Sequence, residues 1–169
     1  RVEKAAAAAL DVSLDVFREA LYTGSDLLSL APVAGLQEVV KTLLTIWDNC
    51  QQVERNRTSC LRLTQRCADI LLRVKGEIDS AGQAVTDELH EPIDKLTEAF
   101  VKVQELLQRQ VQRHLFARYL KREEIVREIG GCDSVLGDAL EMFSLAIQIR
   151  ILKQIQANEA RRQRETECL

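Results

Sequence analysis

The chain has 169 residues, 46% hydrophobic, 29% charged and 4% aromatic, with a net charge of −3. That length fits one domain, read here as spanning residues 1–169, with enough chain to bury a core. The acidic balance argues against a nucleic-acid partner, which would call for a positive excess. No run of about 18 uncharged apolar residues is present to cross a bilayer as a helix.

The first predicted helix covers about residues 2–30, with an apolar face of Leu10, Leu14, Phe17, Leu21 and Leu28. Thr23-Gly24-Ser25 is a place for it to bend, and Ala31-Pro32 stops it, because Pro disfavours helix at the preceding residue. A second helix follows from Leu36 to Ile78. Its apolar positions alternate three and four apart through Leu36, Val39, Leu43, Ile46, Cys50 and Val53, then Cys60, Cys67, Leu71, Val74 and Ile78. As one helix it would be roughly 60 Å long. Arg57 and Thr64 interrupt this seam. A buried guanidinium there needs a carbonyl or acidic partner, with Asp133 and Asp138 as candidates, or else it reaches water at the seam edge.

Asp79-Ser80-Ala81-Gly82 ends that helix. The third predicted helix covers about residues 83–113, on the seam Leu89, Ile93, Leu96, Phe100, Val103 and Leu107. Pro92 marks either its true start or a kink. Residues 114–121 form a short connector. The fourth predicted helix runs from about 122 to 162, on Ile125, Ile129, Cys132, Leu136, Ala139 or Leu140, Phe143, Ile147 and Ile151. Gly130-Gly131 inside it predict a close helix contact or a kink.

All three connections are short, so consecutive helices are expected to run antiparallel. The expected fold is all-α, an antiparallel up-down-up-down four-helix bundle with long helices. Heptads also suit an extended coiled coil, but four seams separated by turns favour the bundle.

The chemistry-bearing residues are sparse. Five cysteines, an odd count without a CxxC pair, include three on the second helix's seam. They read as reduced packing thiols of an intracellular protein. His90 and His114 form no ligand pair, and no Ser/His/Asp set, phosphate loop or HExxH motif occurs. No catalytic residue, metal or cofactor is expected, and the chain does not read as an enzyme. The start lacks a signal-peptide pattern. The missing initial Met and the polar end lead us to expect the N-terminal part of a longer protein.

Several stretches resemble a fungal family of N-terminal helical signalling domains. They are Leu30-Ala31-Pro32-Val33-Ala34-Gly35-Leu36, Ile46-Trp47-Asp48, the run from Cys60 to Leu71, Tyr119 to Ile125, and Met142 to Lys153. Those domains are similar to the N-terminal four-helix bundle of the mixed-lineage kinase domain-like pseudokinase, which executes necroptosis by oligomerising and permeabilising membranes. The resemblance covers about residues 25–157. It implies a cell-death or signalling adaptor role, self-association, and a kinase-like or other signalling domain downstream. It also implies a cytoplasmic location with recruitment to the inner face of a membrane.

Two surface features are candidate sites on this reading. Asp11, Asp15 and Glu19 recur at four-residue spacing and form one acidic stripe. The stripe suits a pore lumen of the kind that related plant immune receptors build from their first helix, or is a solvated face. Arg113, Arg118, Lys121, Arg122 and Arg127, with Arg109, Phe116 and Tyr119 nearby, form a basic cluster. It suits anionic phospholipid headgroups or a protein partner, or is a turn laced with local ion pairs. The start of the third helix is acidic (Glu77, Asp79, Asp87, Glu88, Glu91 and Asp94) and the far end of the fourth is basic (Arg161, Arg162 and Arg164); such opposed charge suits self-association or docking of a following domain, or carries no role. The alternative to an executioner is a passive adaptor bundle linking a downstream kinase-like domain to protein partners.

Overall fold

The computed structural model describes residues 33–54, 56–82, 89–112 and 122–168. Four helices make up this part: α1 (Leu36–Gln52), α2 (Arg57–Ala81), α3 (His90–Gln112) and α4 (Arg122–Glu167). No strand occurs among the described residues. The helix expected over 2–30 lies outside them.

The single helix expected from Leu36 to Ile78 is two helices. α1 ends at Gln52 and Val53 is extended. Asn56 adopts the left-handed conformation, with φ 55° and ψ 29°, before α2 begins. Asn tolerates that region better than most residues. The apolar seam survives the break because its spacing carries across it. Val53 and Cys60 flank the break and are both buried.

Arg57 opens α2 and does not interrupt a helix. Its Nη1 donates to the carbonyl oxygens of Cys50 at 3.3 Å, Gln51 at 3.3 Å and Val53 at 3.1 Å. The last carbonyls of a helix have no partner within it, and a cation there also faces the negative end of the dipole. Thr64, the other interruption, is buried and donates its hydroxyl to the carbonyl of Cys60 at 2.8 Å.

Gly35 stands before α1 with φ 91°. A Cβ there would come within 2.8 Å of Cγ2 of Ile93. Both the backbone conformation and this close approach call for glycine, and the contact seats the start of α1 against the start of α3. The start of α3 at His90 places Pro92 in the first turn, where the missing N–H has no helical partner to lose.

α4 runs unbroken for 46 residues. The helix continues through Gly130-Gly131, and the close contact expected there is absent. Both glycines are exposed, with nothing within 4 Å of an added Cβ.

α1 packs on α3, α3 on α4, α4 on α2 and α2 on α1. Nε of Arg66 meets Asp133 at 3.0 Å, and the Ser144 hydroxyl lies 2.8 Å from a carboxylate oxygen of Glu77. The numbers rise together along both helices, so α2 and α4 run in the same direction. Arg109, near the end of α3, meets Glu128 near the start of α4 at 3.4 Å. The core at the centre holds Trp47, Phe100 and Phe143, all essentially inaccessible, within a layer of Leu, Ile and Val. Each such side chain contributes roughly 1.5–3 kcal/mol by leaving water.

Candidate functional site

Chemistry at the buried Cys60, Cys67 and Cys132 is suppressed by their surroundings. Cys50, Cys60, Cys67 and Cys132 are free and buried, and Cys168 is free and exposed. Burial, with the neighbouring Cys50 adding to it, pushes the Cys60 thiol up to about 12. Cys67 and Cys132 are also raised, mainly by burial. A thiol held in its protonated form is neither a nucleophile nor a metal ligand. No group of three potential metal-ligating residues exists among the described residues. His90 lies on the surface with Nδ1 2.9 Å from Asp94.

The polar groups that meet between helices are positional. Arg66 and Asp133 close the α2–α4 seam beside the buried thiols of Cys67 and Cys132. Farther along, Glu77 is held by Ser144 of α4 and approached by Arg73 at 3.8 Å. Here a shallow groove lies between the helices, floored by Gly76, Ser80 and Ile147.

Of the candidate basic cluster, the structure places only part. Arg127 is exposed on the first turns of α4. Arg122 begins that helix, but its side chain, like the whole of Arg113, Arg118 and Lys121, lies outside the described residues. Arg109, counted with the cluster, is ion-paired to Glu128. The acidic stripe of Asp11, Asp15 and Glu19 lies outside the described residues as well.

One surface was missed at the sequence level. Ile147 is the last buried residue of α4. Beyond it the helix continues for 20 residues, almost all exposed. Ile151, assigned from its spacing to the buried seam, is 36% exposed, and Leu145, Ile149, Leu152 and Ile155 are exposed too. The available signal was the density of apolar residues between 142 and 155, too many for one seam.

No described helix is long and apolar enough to cross a membrane. The described residues form an all-α bundle whose helices are joined by a few polar contacts, Arg66–Asp133, Arg109–Glu128 and Ser144–Glu77. The chain matches the family model of the mixed lineage kinase domain-like N-terminal domain over residues 36–168, a range that spans all four helices, and it belongs to that family. None of the curated proteins and none of the solved structures matches it.

Proposed function

We propose that this domain is a non-enzymatic signalling module of the cell-death executioner type, which self-associates and then acts on anionic phospholipid membranes. The supporting observation is family membership over residues 36–168. The exposed aliphatic residues of α4 agree with it, since contiguous apolar surface marks a protein or membrane contact.

In this reading the helices alternate in direction along the chain as an up-down-up-down bundle. The resting protein is cytoplasmic and is recruited to the inner face of a membrane. A trigger, passed through a downstream kinase-like or other signalling domain, frees a helix face. Freed copies then assemble at the bilayer.

A second reading is the passive adaptor that links such a downstream domain to protein partners. The Arg109–Glu128 pair favours it, because part of the basic cluster is already neutralised within the domain.

Dye release from phosphoinositide-containing liposomes, with light scattering of the free protein, separates the two. Leakage accompanied by oligomers supports the executioner. A monodisperse protein that leaves liposomes intact overturns it in favour of the adaptor.

A further inference from the structure

We propose that residues 10–30 fold back along the projecting half of α4 as an antiparallel helix and cover its exposed aliphatic face. This contact lies within one chain, and it is independent of whether the domain later meets a membrane or a protein partner.

The segment sets out from the base of that projection. Val33, the first described residue, is buried, and Gly35 lies against Ile93 at the start of α3. Residues 82–89 join the start of α3 to the end of α2, where Glu77 is held by Ser144 of α4. Residues 1–32 therefore leave the bundle at the end from which α4 projects. Residues 148–167 extend roughly 30 Å past the last buried side chain, and residues 10–30 as a helix have the same length, at 1.5 Å per residue. Gly24 weakens the segment as a free helix, so packing against α4 is what carries it through Thr23-Gly24-Ser25.

The apolar lines and their charged flanks match in hand. Leu145, Ile149 and Leu152 recur at four and three residues and form one exposed line, with Leu145 57% and Leu152 60% exposed. Residues 10–30 offer Leu10, Leu14, Phe17, Leu21 and Leu28 on one predicted face. On both elements a charge comes one residue after the line: Arg150 after Ile149 and Lys153 after Leu152, Asp11 after Leu10 and Asp15 after Leu14. One residue is about 100° of helical turn, so the basic and the acidic stripe stand on the same rotational side of their apolar lines. Antiparallel packing brings two such flanks face to face, whereas parallel packing would turn them apart.

The levels agree as well. Counted outward from the shared base, Leu28 and Leu21 fall beside Ile149–Ile155, and Asp26 falls beside Arg150 and Lys153. Asp15 and Asp11 reach the level of Arg161 and Arg164. The apolar face of α4 ends at Ile155, and there the match passes from aliphatic contact to opposed charge. Over 148–167 five cations stand against three anions, Glu159, Glu165 and Glu167; over 10–30 four anions stand against Arg18. A second copy of α4 would bring like charges together. A segment tethered through residues 31–35 meets the face at an effective concentration in the millimolar range, which favours it over a free partner of the same chemistry.

Cys168 supplies the probe, because it is exposed at the end of α4 while the other four cysteines are buried. In the 169-residue protein a further cysteine is introduced by Ala8→Cys, at the far end of the segment, or by Ser25→Cys, near its base. At low protein concentration a short bis-maleimide is expected to give an internally cross-linked monomer for Ala8→Cys and not for Ser25→Cys. Asp11→Lys/Asp15→Lys should lower that yield about fivefold, as for the loss of one or two surface ion pairs. Arg161→Glu/Arg164→Glu should do the same, and the two pairs combined should restore it. Both arginines lie on exposed turns beyond the bundle, so their variant keeps the fold, checked by an unchanged circular dichroism melt. Equal yields from Ala8→Cys and Ser25→Cys, or none from either, overturn the proposal. So does a yield indifferent to both charge reversals. A cross-linked dimer in place of the monomer would assign the face to the segment of a second copy, which also overturns it.

Discussion

The guanidinium of Arg57 donates from Nη1 to the carbonyl oxygen of Val53 at 3.1 Å, so the first residue of α2 closes the end of α1. The same nitrogen reaches the carbonyls of Cys50 and Gln51. One side chain thereby serves the group of acceptors that a helix end leaves over. Replacement of Arg57 by Met keeps most of the aliphatic stem and removes the donors. Hydrogen bonds to charged groups contribute roughly 1.5–3 kcal/mol in favourable cases. Arg57→Met should lower the unfolding free energy by about 1–3 kcal/mol in a urea titration, while Arg57→Lys, a point charge without the planar fork, should recover only part of the loss. Equal stability of Arg57→Met and wild type would show that water serves those carbonyls equally well.

Apolar packing, more than the surface ion pair, fixes α4 to the bundle. Phe143 is completely buried, and truncation of such a side chain to Ala costs about 3–5 kcal/mol. Arg66 and Asp133 are 46% and 57% exposed in their side chains, and pairs of that kind contribute about 0–1 kcal/mol. Phe143→Ala should therefore lower the melting temperature sharply, and Asp133→Asn should barely move it. Comparable losses in the two variants by calorimetry would reverse this ranking.

The buried thiols make stability depend on alkaline pH. Cys60 is raised from 9.0 to about 12 in the folded protein. Between those values the unfolded chain has released a proton that the folded chain still holds, so the stability falls as pH rises. The contribution is complete below about pH 9 and disappears by about pH 12. Cys67 and Cys132, raised in the same direction, steepen the decline. Cys60→Ala should flatten the profile of urea midpoints above pH 9. A profile identical to that of wild type would remove Cys60 from this account.

The sequence was informative where periodicity and burial coincide. Every apolar seam position from Leu36 to Ile78 is buried, as are Leu89, Ile93, Leu96, Phe100, Val103 and Leu107. The break at 53–56 escaped notice because it keeps the register of the seam and uses neither Gly nor Pro. Its signals were the polar run from Glu54 to Ser59 and an Asn suited to left-handed backbone. Gly130-Gly131 misled for the opposite reason: two glycines suggested a contact, yet they face open space within an intact helix. At Ile151 spacing predicts only which residues share a face; whether a neighbouring helix extends far enough to cover that face is a tertiary property. α2 ends at Ala81, so α4 outruns it. The candidate basic cluster was legible as charge, but Arg109 shows that charge alone does not reveal which members are already paired.

The alignment of α2 with α4 also sets an order of events during synthesis. Ser144 and Glu77 are separated by 67 residues, with the whole of α3 between them in the chain. Until α4 has left the ribosome, the face of α2 bearing Cys67 and Leu71 has no cover from that helix. Loop closure over such a span is slow relative to helix formation, and chains elongate at about 5–20 residues per second. A nascent chain stalled before α4 thus exposes a sticky aliphatic face, and chaperone protection of this domain would be needed most in that interval.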